Sequence, residues 1–151
     1  MKFGLLYEHQ LPRPWDEGAE HRLFKEALEQ AEVADRLGYD YIWEVEHHFL
    51  EEYAHSSAPE VFLAACAART KNIRLGHGVV LSAPAYNHPA RVAERIATLD
   101  LVSDGRVDWG TGESAARTEL EGFRIDPEEK KAMWAEGTEQ TANMMAMEPY
   151  P

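Results

Sequence analysis

Residues 37–49 read Leu37-Gly38-Tyr39-Asp40-Tyr41-Ile42-Trp43-Glu44-Val45-Glu46-His47-His48-Phe49. This stretch joins a helix end, a strand and a polar rim. Gly38 stands where a helix C-terminus favours a left-handed residue. Tyr39 to Val45 is rich in aromatic and β-branched residues, which suit a pleated, half-buried surface. Glu46-His47-His48 follows at the C-terminal end of that strand. Upstream, Leu23, Phe24, Ala27, Leu28, Ala31, Ala34 and Leu37 share one helical face. Before them lie a polar, proline-containing loop from Glu8 to Gly18 and a short apolar run, Phe3 to Tyr7, consistent with a buried strand.

The same alternation continues downstream. Ser57-Ala58-Pro59-Glu60 combines a Ser cap, an early Pro and a Glu three residues after the cap, and predicts a helix running to Arg69. Ile73 to Leu81 reads as a third strand. Pro89 opens a third helix, with Val92, Ala93, Ile96, Leu99 and Val102 on its inner side. Ser103-Asp104-Gly105 is a turn, and Arg106 to Thr111 a fourth strand. Asp126-Pro127-Glu128-Glu129 starts a last helix running to about Met147, and Pro149 and Pro151 close the chain. Strands alternating with helices imply parallel strands with right-handed crossovers. An open doubly wound sheet and half of an eight-stranded barrel both fit. The doubly wound reading is the poorer one. The first strand-to-helix turn has no glycine cluster, and Gly110-Thr111-Gly112 lacks a third glycine and runs into Glu113, which repels phosphate.

The chain of 151 residues carries 15 Lys and Arg against 27 Asp and Glu, a formal charge of −12. That balance argues against a nucleic-acid or anionic-membrane surface, though not against a local basic pocket. The lone Cys66 excludes an internal disulfide and reads as a small buried helix residue. Residues 1–7 lack the features of a signal peptide, and no apolar run approaches membrane-spanning length, so a cytoplasmic location is expected.

In parallel β/α folds the loops after the strand C-termini carry the chemistry. Here these offer Glu8-His9-Gln10, Glu46-His47-His48, Ser82 to His88, and Gly110 to Ser114. Glu46-His47-His48 is the most informative, because imidazole exchanges protons near neutral pH and a neighbouring carboxylate fixes its tautomer. A capping role for these histidines is the blander alternative. No metal-ligand spacing is present, and no metal is expected. Gly76 and Gly78 interrupt a strand, which suggests a bulge, a close approach or a packing need.

These residues together resemble the bacterial-luciferase-like, flavin-dependent monooxygenases. The matching stretches are Met1 to Gly4, Leu37 to Trp43 with Glu46 to Phe49, and Ile73 to Gly76 with Val79 to Leu81. They continue with His88 to Glu94, and with Thr98 to Arg106 leading to Trp109-Gly110-Thr111-Gly112. The resemblance implies a (β/α)8 TIM-type barrel of which residues 1–151 hold the first four β/α units, a half-barrel. It implies reduced FMN as cofactor, with a deazaflavin as alternative, and an aldehyde or other small organic substrate oxygenated with O2. It makes His47 the acid/base beside the flavin, with Glu46 and His48 as orienting neighbours. It places a cis peptide between Gly78 and Val79 against the flavin ring, Gly112 near that ring, and Lys131 near the flavin phosphate. Glu113 departs from the luciferase pattern, which has a phosphate-contacting Arg there, and Gly112 replaces a Cys. Later loops of the family lie beyond residue 151, so residues 1–151 alone are expected to be inactive. Leu5, Ile42 and Val79 are expected to face the barrel interior without partners, which favours a homo-oligomer or a partner chain.

Overall fold

The computed structural model describes residues 1–147; Pro149 and Pro151 lie outside the described residues. Its elements alternate as expected. In order they are β1 (Gly4–Tyr7), α1 (Ala19–Leu37), β2 (Tyr41–Glu44), α2 (Pro59–Arg69), β3 (Arg74–His77), β4 (Val80–Leu81), α3 (Pro89–Val102), β5 (Val107–Asp108), β6 (Thr111–Gly112), α4 (Arg117–Gly122) and α5 (Lys130–Ala146). Strands β1, β2, β3 and β5 form one sheet in that order, and β4 pairs with β6 in a second. Every pairing is parallel. No helix among the described residues is long and apolar enough to cross a membrane.

The expected third and fourth strands are each divided. The cis peptide between Gly78 and Val79 separates β3 from β4, and Trp109-Gly110 separates β5 from β6. Each strand therefore leaves the main sheet and re-pairs beyond it, Val80 with Thr111 and Leu81 with Gly112.

The register settles which side chains face the helices. Leu5, Ile42, Leu75 and Val107 lie in one row across the sheet. They pack with Ala27, Leu28, Ala31 and Ala34 of α1, Phe62, Leu63 and Cys66 of α2, and Leu99 of α3. Burying each large side chain of this row is worth about 1.5–3 kcal/mol, so this layer holds the fold. Leu5 and Ile42 thus face the helices, not the opposite side. The row Leu6, Trp43, Gly76 and Asp108 faces away, and Leu6 is largely exposed there. The phase was misjudged because both faces of β1 and β2 carry large apolar residues, so alternation alone does not choose between them. A Cβ on Gly76 would sit 2.2 Å from the Trp43 ring, so a packing need accounts for this glycine.

Smaller differences have local causes. Ala58, not Ser57, caps α2, with Pro59 at its first turn. Leu37 and Val102 end their helices on the solvent side. Asp126 to Glu129 forms a turn in which Asp126 accepts the Glu128 N–H, so α5 begins at Lys130. The short helix α4 was not anticipated. Cys66 is buried and its thiol is pushed up to about 12 by desolvation, which leaves it unreactive.

At the far end of the sheet Arg106 donates to the carbonyls of Ala67, Thr70, Ile73 and Ser103 and to the Thr70 hydroxyl. All five guanidinium N–H groups are used. This end is closed by structure, and the polar residues left for chemistry collect at the other.

Candidate active site

Just past β2, Glu46, His47 and His48 stand at the C-terminal end of the sheet. The His47 N–H bonds the Ser56 carbonyl and fixes the chain direction there. The His47 side chain is 25% exposed, and its Nδ1 lies 2.9 Å from Glu119 Oε1. Glu119, on α4, is fully buried. Its Oε1 also accepts the His48 N–H at 2.8 Å, and its Oε2 accepts the Ser114 hydroxyl.

These contacts set the charges. Burial pulls Glu119 upward, but hydrogen bonds from His47, Ser114 and the His48 N–H outweigh it and hold the carboxyl below its ordinary value. The Glu119 hydrogen bond raises the His47 imidazole above its ordinary value, against the opposing effect of burial, with Glu8 and Glu46 adding to the rise. The pair is an imidazolium beside a carboxylate over the range where an ordinary histidine has begun to lose its proton. With Nδ1 held by Glu119, Nε2 is the nitrogen free to exchange a proton with another molecule. The Tyr53 ring stands edge-on to it, with centroids 5.7 Å apart, and the Tyr53 hydroxyl bonds Glu8.

Glu46 plays a different part from a proton carrier open to solvent. It is buried, and its Oε2 accepts the Leu81 N–H at 2.8 Å. Its Oε1 contacts Asn87 Nδ2 at 2.8 Å and His48 Nε2 at 3.0 Å. It therefore ties the histidine segment to β4, just past the cis Gly78–Val79 peptide. His48 is further wedged against Phe123 and Tyr86.

Gly78, Val79 and Gly112 fall in one patch. A Cβ on Gly112 would lie 2.6 Å from Val79 Cγ2, so any side chain there displaces Val79. A Cβ on Gly78 would come into ordinary contact with Trp43 and Leu6, which give the patch an apolar floor. Lys131 is not brought to this group. It is exposed near the start of α5, while the adjacent Lys130 turns inward, bonds the Ser114 carbonyl and lies 3.6 Å from Glu113. The repulsive Glu113 is thus partly offset. Among the described residues no group of three or more His, Cys, Asp or Glu side chains is placed to hold a metal.

Sequence reasoning missed Glu119, and it set Ser114 and Asn87 on rim loops without giving either a role. Nothing in the acidic run of α4 separates Glu119 from Glu121; only the tertiary contact does.

The luciferase-like monooxygenase family model matches residues 1–149. The 4-hydroxyprotoasukamycin monooxygenase of Streptomyces nodosus subsp. asukaensis is 41% identical over 109 residues, covering 72% of this chain and 29% of that protein. A monooxygenase structure from Streptomyces bottropensis superposes with a TM-score of 0.87 at 38% identity, over 97% of this chain and 44% of that one. The oxygenating constituent of 3,6-diketocamphane monooxygenase from Pseudomonas putida, a complex with FMN, shares the fold with a TM-score of 0.85 at 24% identity, over 95% of this chain and 39% of that one. The chain spans less than half the length of each of these proteins. It belongs to the luciferase-like monooxygenase family.

Proposed function

We propose that this chain forms the N-terminal part of a (β/α)8-barrel, flavin-dependent monooxygenase acting on an aldehyde or other small organic substrate. The observation that carries the reading is the hydrogen-bonded His47–Glu119 pair at the strand C-terminal ends, just past the strand whose Glu44 carbonyl accepts the Gly78 N–H of the glycine patch. The residues fit a flat cofactor: Leu6, Trp43 and Val79 supply an apolar floor, and the two glycines keep side chains off it. The FMN found in the P. putida protein of the same fold favours that flavin. When bound, reduced FMN supplies the electrons that activate O2. Lys130 supplies positive charge beside the fourth loop, suited to a phosphate. His47 holds and delivers a proton at Nε2 while Glu119 keeps its orientation. Glu46 and His48 hold the backbone of the flavin-facing strand in register with His47.

Self-association belongs to the same reading. Val61 on α2 and Leu101 and Val102 on α3 are exposed, and packing of these outer helices between two copies buries them. Light scattering at low micromolar concentration should show a dimer; a monodisperse monomer removes this part.

The function is tested with residues 1–147 fused ahead of the C-terminal part of the S. bottropensis protein. The folded chimaera should bind photoreduced FMN and consume oxygen in proportion to added organic substrate. Binding of a deazaflavin instead moves the reading to hydride transfer. A folded chimaera that binds neither overturns it and leaves a non-catalytic half-barrel.

A further inference from the structure

A hydrogen-bonded chain runs from the helical layer to the rim. On α3, Arg95 Nη1 lies 3.1 Å from Glu60 Oε1 of α2 and donates to Asn87 Oδ1 at 3.1 Å. Asn87 Nδ2 donates to the Leu81 carbonyl at 3.1 Å and to Glu46 Oε1 at 2.8 Å. Glu46 Oε1 meets His48 Nε2 at 3.0 Å, and Oε2 takes the Leu81 N–H.

Each link fixes the direction of the next. A guanidinium only donates, so the Asn87 amide must turn its oxygen toward Arg95. Its NH2 then faces the Leu81 carbonyl, which only accepts, and Glu46. The Glu46 carboxyl receives backbone and amide donors on its two oxygens, the pattern of an acceptor-only, ionised group. Only a His48 ring with its proton on Nε2 completes that set. No hydrogen bond to His48 Nδ1 is present among the described residues.

We infer that Arg95, although it stands in the helical layer, is a positioning residue for the rim: through Asn87 and Glu46 it holds His48 as the Nε2–H tautomer and leaves Nδ1 as a hydrogen-bond acceptor. The two adjacent histidines then differ in kind. His47 offers a donor at Nε2, and His48 offers a lone pair at Nδ1, suited to an O–H or N–H group of what the site binds. What that lone pair receives rests on the monooxygenase reading; the tautomer does not, so each can fail without the other.

The test is two-bond 15N–1H NMR of the imidazoles in the full chain, read on the uncharged His48 ring. The unsubstituted protein should show the proton on Nε2, and a proton on Nδ1 overturns the inference at once. Arg95→Met removes the donor that holds the Asn87 oxygen and so loosens the amide's hold on Glu46. The Leu81 carbonyl still faces the Asn87 NH2, so the tautomer ratio should move toward Nδ1–H by about two- to threefold, the part of a hydrogen bond that reaches two links along the chain. Arg95→Lys keeps a donor and should restore the original ratio. Glu60→Gln leaves the Arg95 donation in place and should change nothing at His48. A folded Arg95→Met with an unchanged His48 refutes the chain. Asn87→Ala gives the same readout if Arg95→Met does not fold, and an unchanged ratio there refutes it equally.

Discussion

Two of the protein's His–Glu pairs differ in charge state, one ionised and the other neutral. At the rim, His47 and Glu119 lie 2.9 Å apart; on the helix side of the sheet, His9 Nε2 and Glu44 Oε1 lie 3.2 Å apart. Glu44 and Glu119 are both fully buried. Yet burial, reinforced by Glu60, pushes Glu44 up to about 9, and burial takes His9 down to about 4, while Glu119 moves down and His47 up. The difference lies in the donors. Glu119 accepts from a backbone N–H, a hydroxyl and an imidazole. Glu44 Oε2 has no partner, and His9 is close but not aligned for a hydrogen bond. His9 is instead packed among Tyr7, Phe24 and Phe62. A carboxyl buried without donors keeps its proton; one supplied with them gives it up and charges its neighbour.

The largest expected effect follows from removing that charge at the rim. In the flavin-binding chimaera, Glu119→Gln takes away the group that raises His47 and fixes its Nδ1. Turnover should fall by about 10²–10⁴-fold, the usual contribution of a positioned acid or base, and His47→Ala should match it. Binding of reduced flavin should change far less. Equal losses in flavin affinity would move His47 from chemistry to binding, and unchanged turnover would remove the pair from the mechanism.

Stability against pH separates the two pairs next. Glu44 has a raised folded value, so its contribution is full below its ordinary 4.5 and is lost as pH climbs to about 9. His9 has a lowered one, so its contribution is full above 6.5 and is lost as pH falls to about 4. Between 4.5 and 6.5 the two slopes cancel, because the folded and unfolded pairs bind the same number of protons. Above 6.5 the folded pair keeps one proton more, and stability should fall by on the order of 3 kcal/mol toward pH 9. Glu44→Gln should abolish this alkaline decline and stabilise the protein at pH 8. Glu119→Gln should do the reverse: it strips ionic partners from His47 and destabilises at neutral pH. Denaturant unfolding at pH 6 and 8 reads both, and the same sign for the two substitutions would break the comparison.

The fold was legible because the pattern that specifies it is local. Gly38, the apolar face of α1 and the strand from Tyr41 are neighbours in sequence, and the structure keeps them. The phase of β1 and β2 was not, because large apolar residues stand on both faces and only the packing of α1 and α2 chooses between them. At the site, His47, Glu46 and His48 were visible as a cluster, whereas their roles depend on residues far along the chain. Glu119 lies 72 positions from His47, and Asn87 41 from Glu46. Though the sequence favoured His47, His9 also stood on a rim loop. Its positive φ and its three aromatic neighbours turn it inward, and no local pattern announces that.

The smallest expected effect is the sharpest test of the donor argument. Ser114→Ala leaves both carboxylates, both imidazoles and their distances in place and removes one hydroxyl from Glu119. If donors decide the charge, Glu119 should move partway toward Glu44: its carboxyl should rise and the His47 imidazole should fall, because a less readily ionised neighbour supports the imidazolium less. A hydrogen bond to a charged group is worth about 1.5–3 kcal/mol, but the backbone N–H and His47 remain, so the shift should be a fraction of the gap between the two pairs. The His47 titration followed by NMR measures it directly. The same variant should lose stability mainly above pH 4.5, where the depressed Glu119 makes its full contribution, and the loss should shrink as acid protonates the carboxyl in both states. A His47 titration identical to that of the parent protein would show that proximity to the imidazole alone keeps Glu119 ionised. The contrast with Glu44 would then rest on alignment of the ring, not on the number of donors.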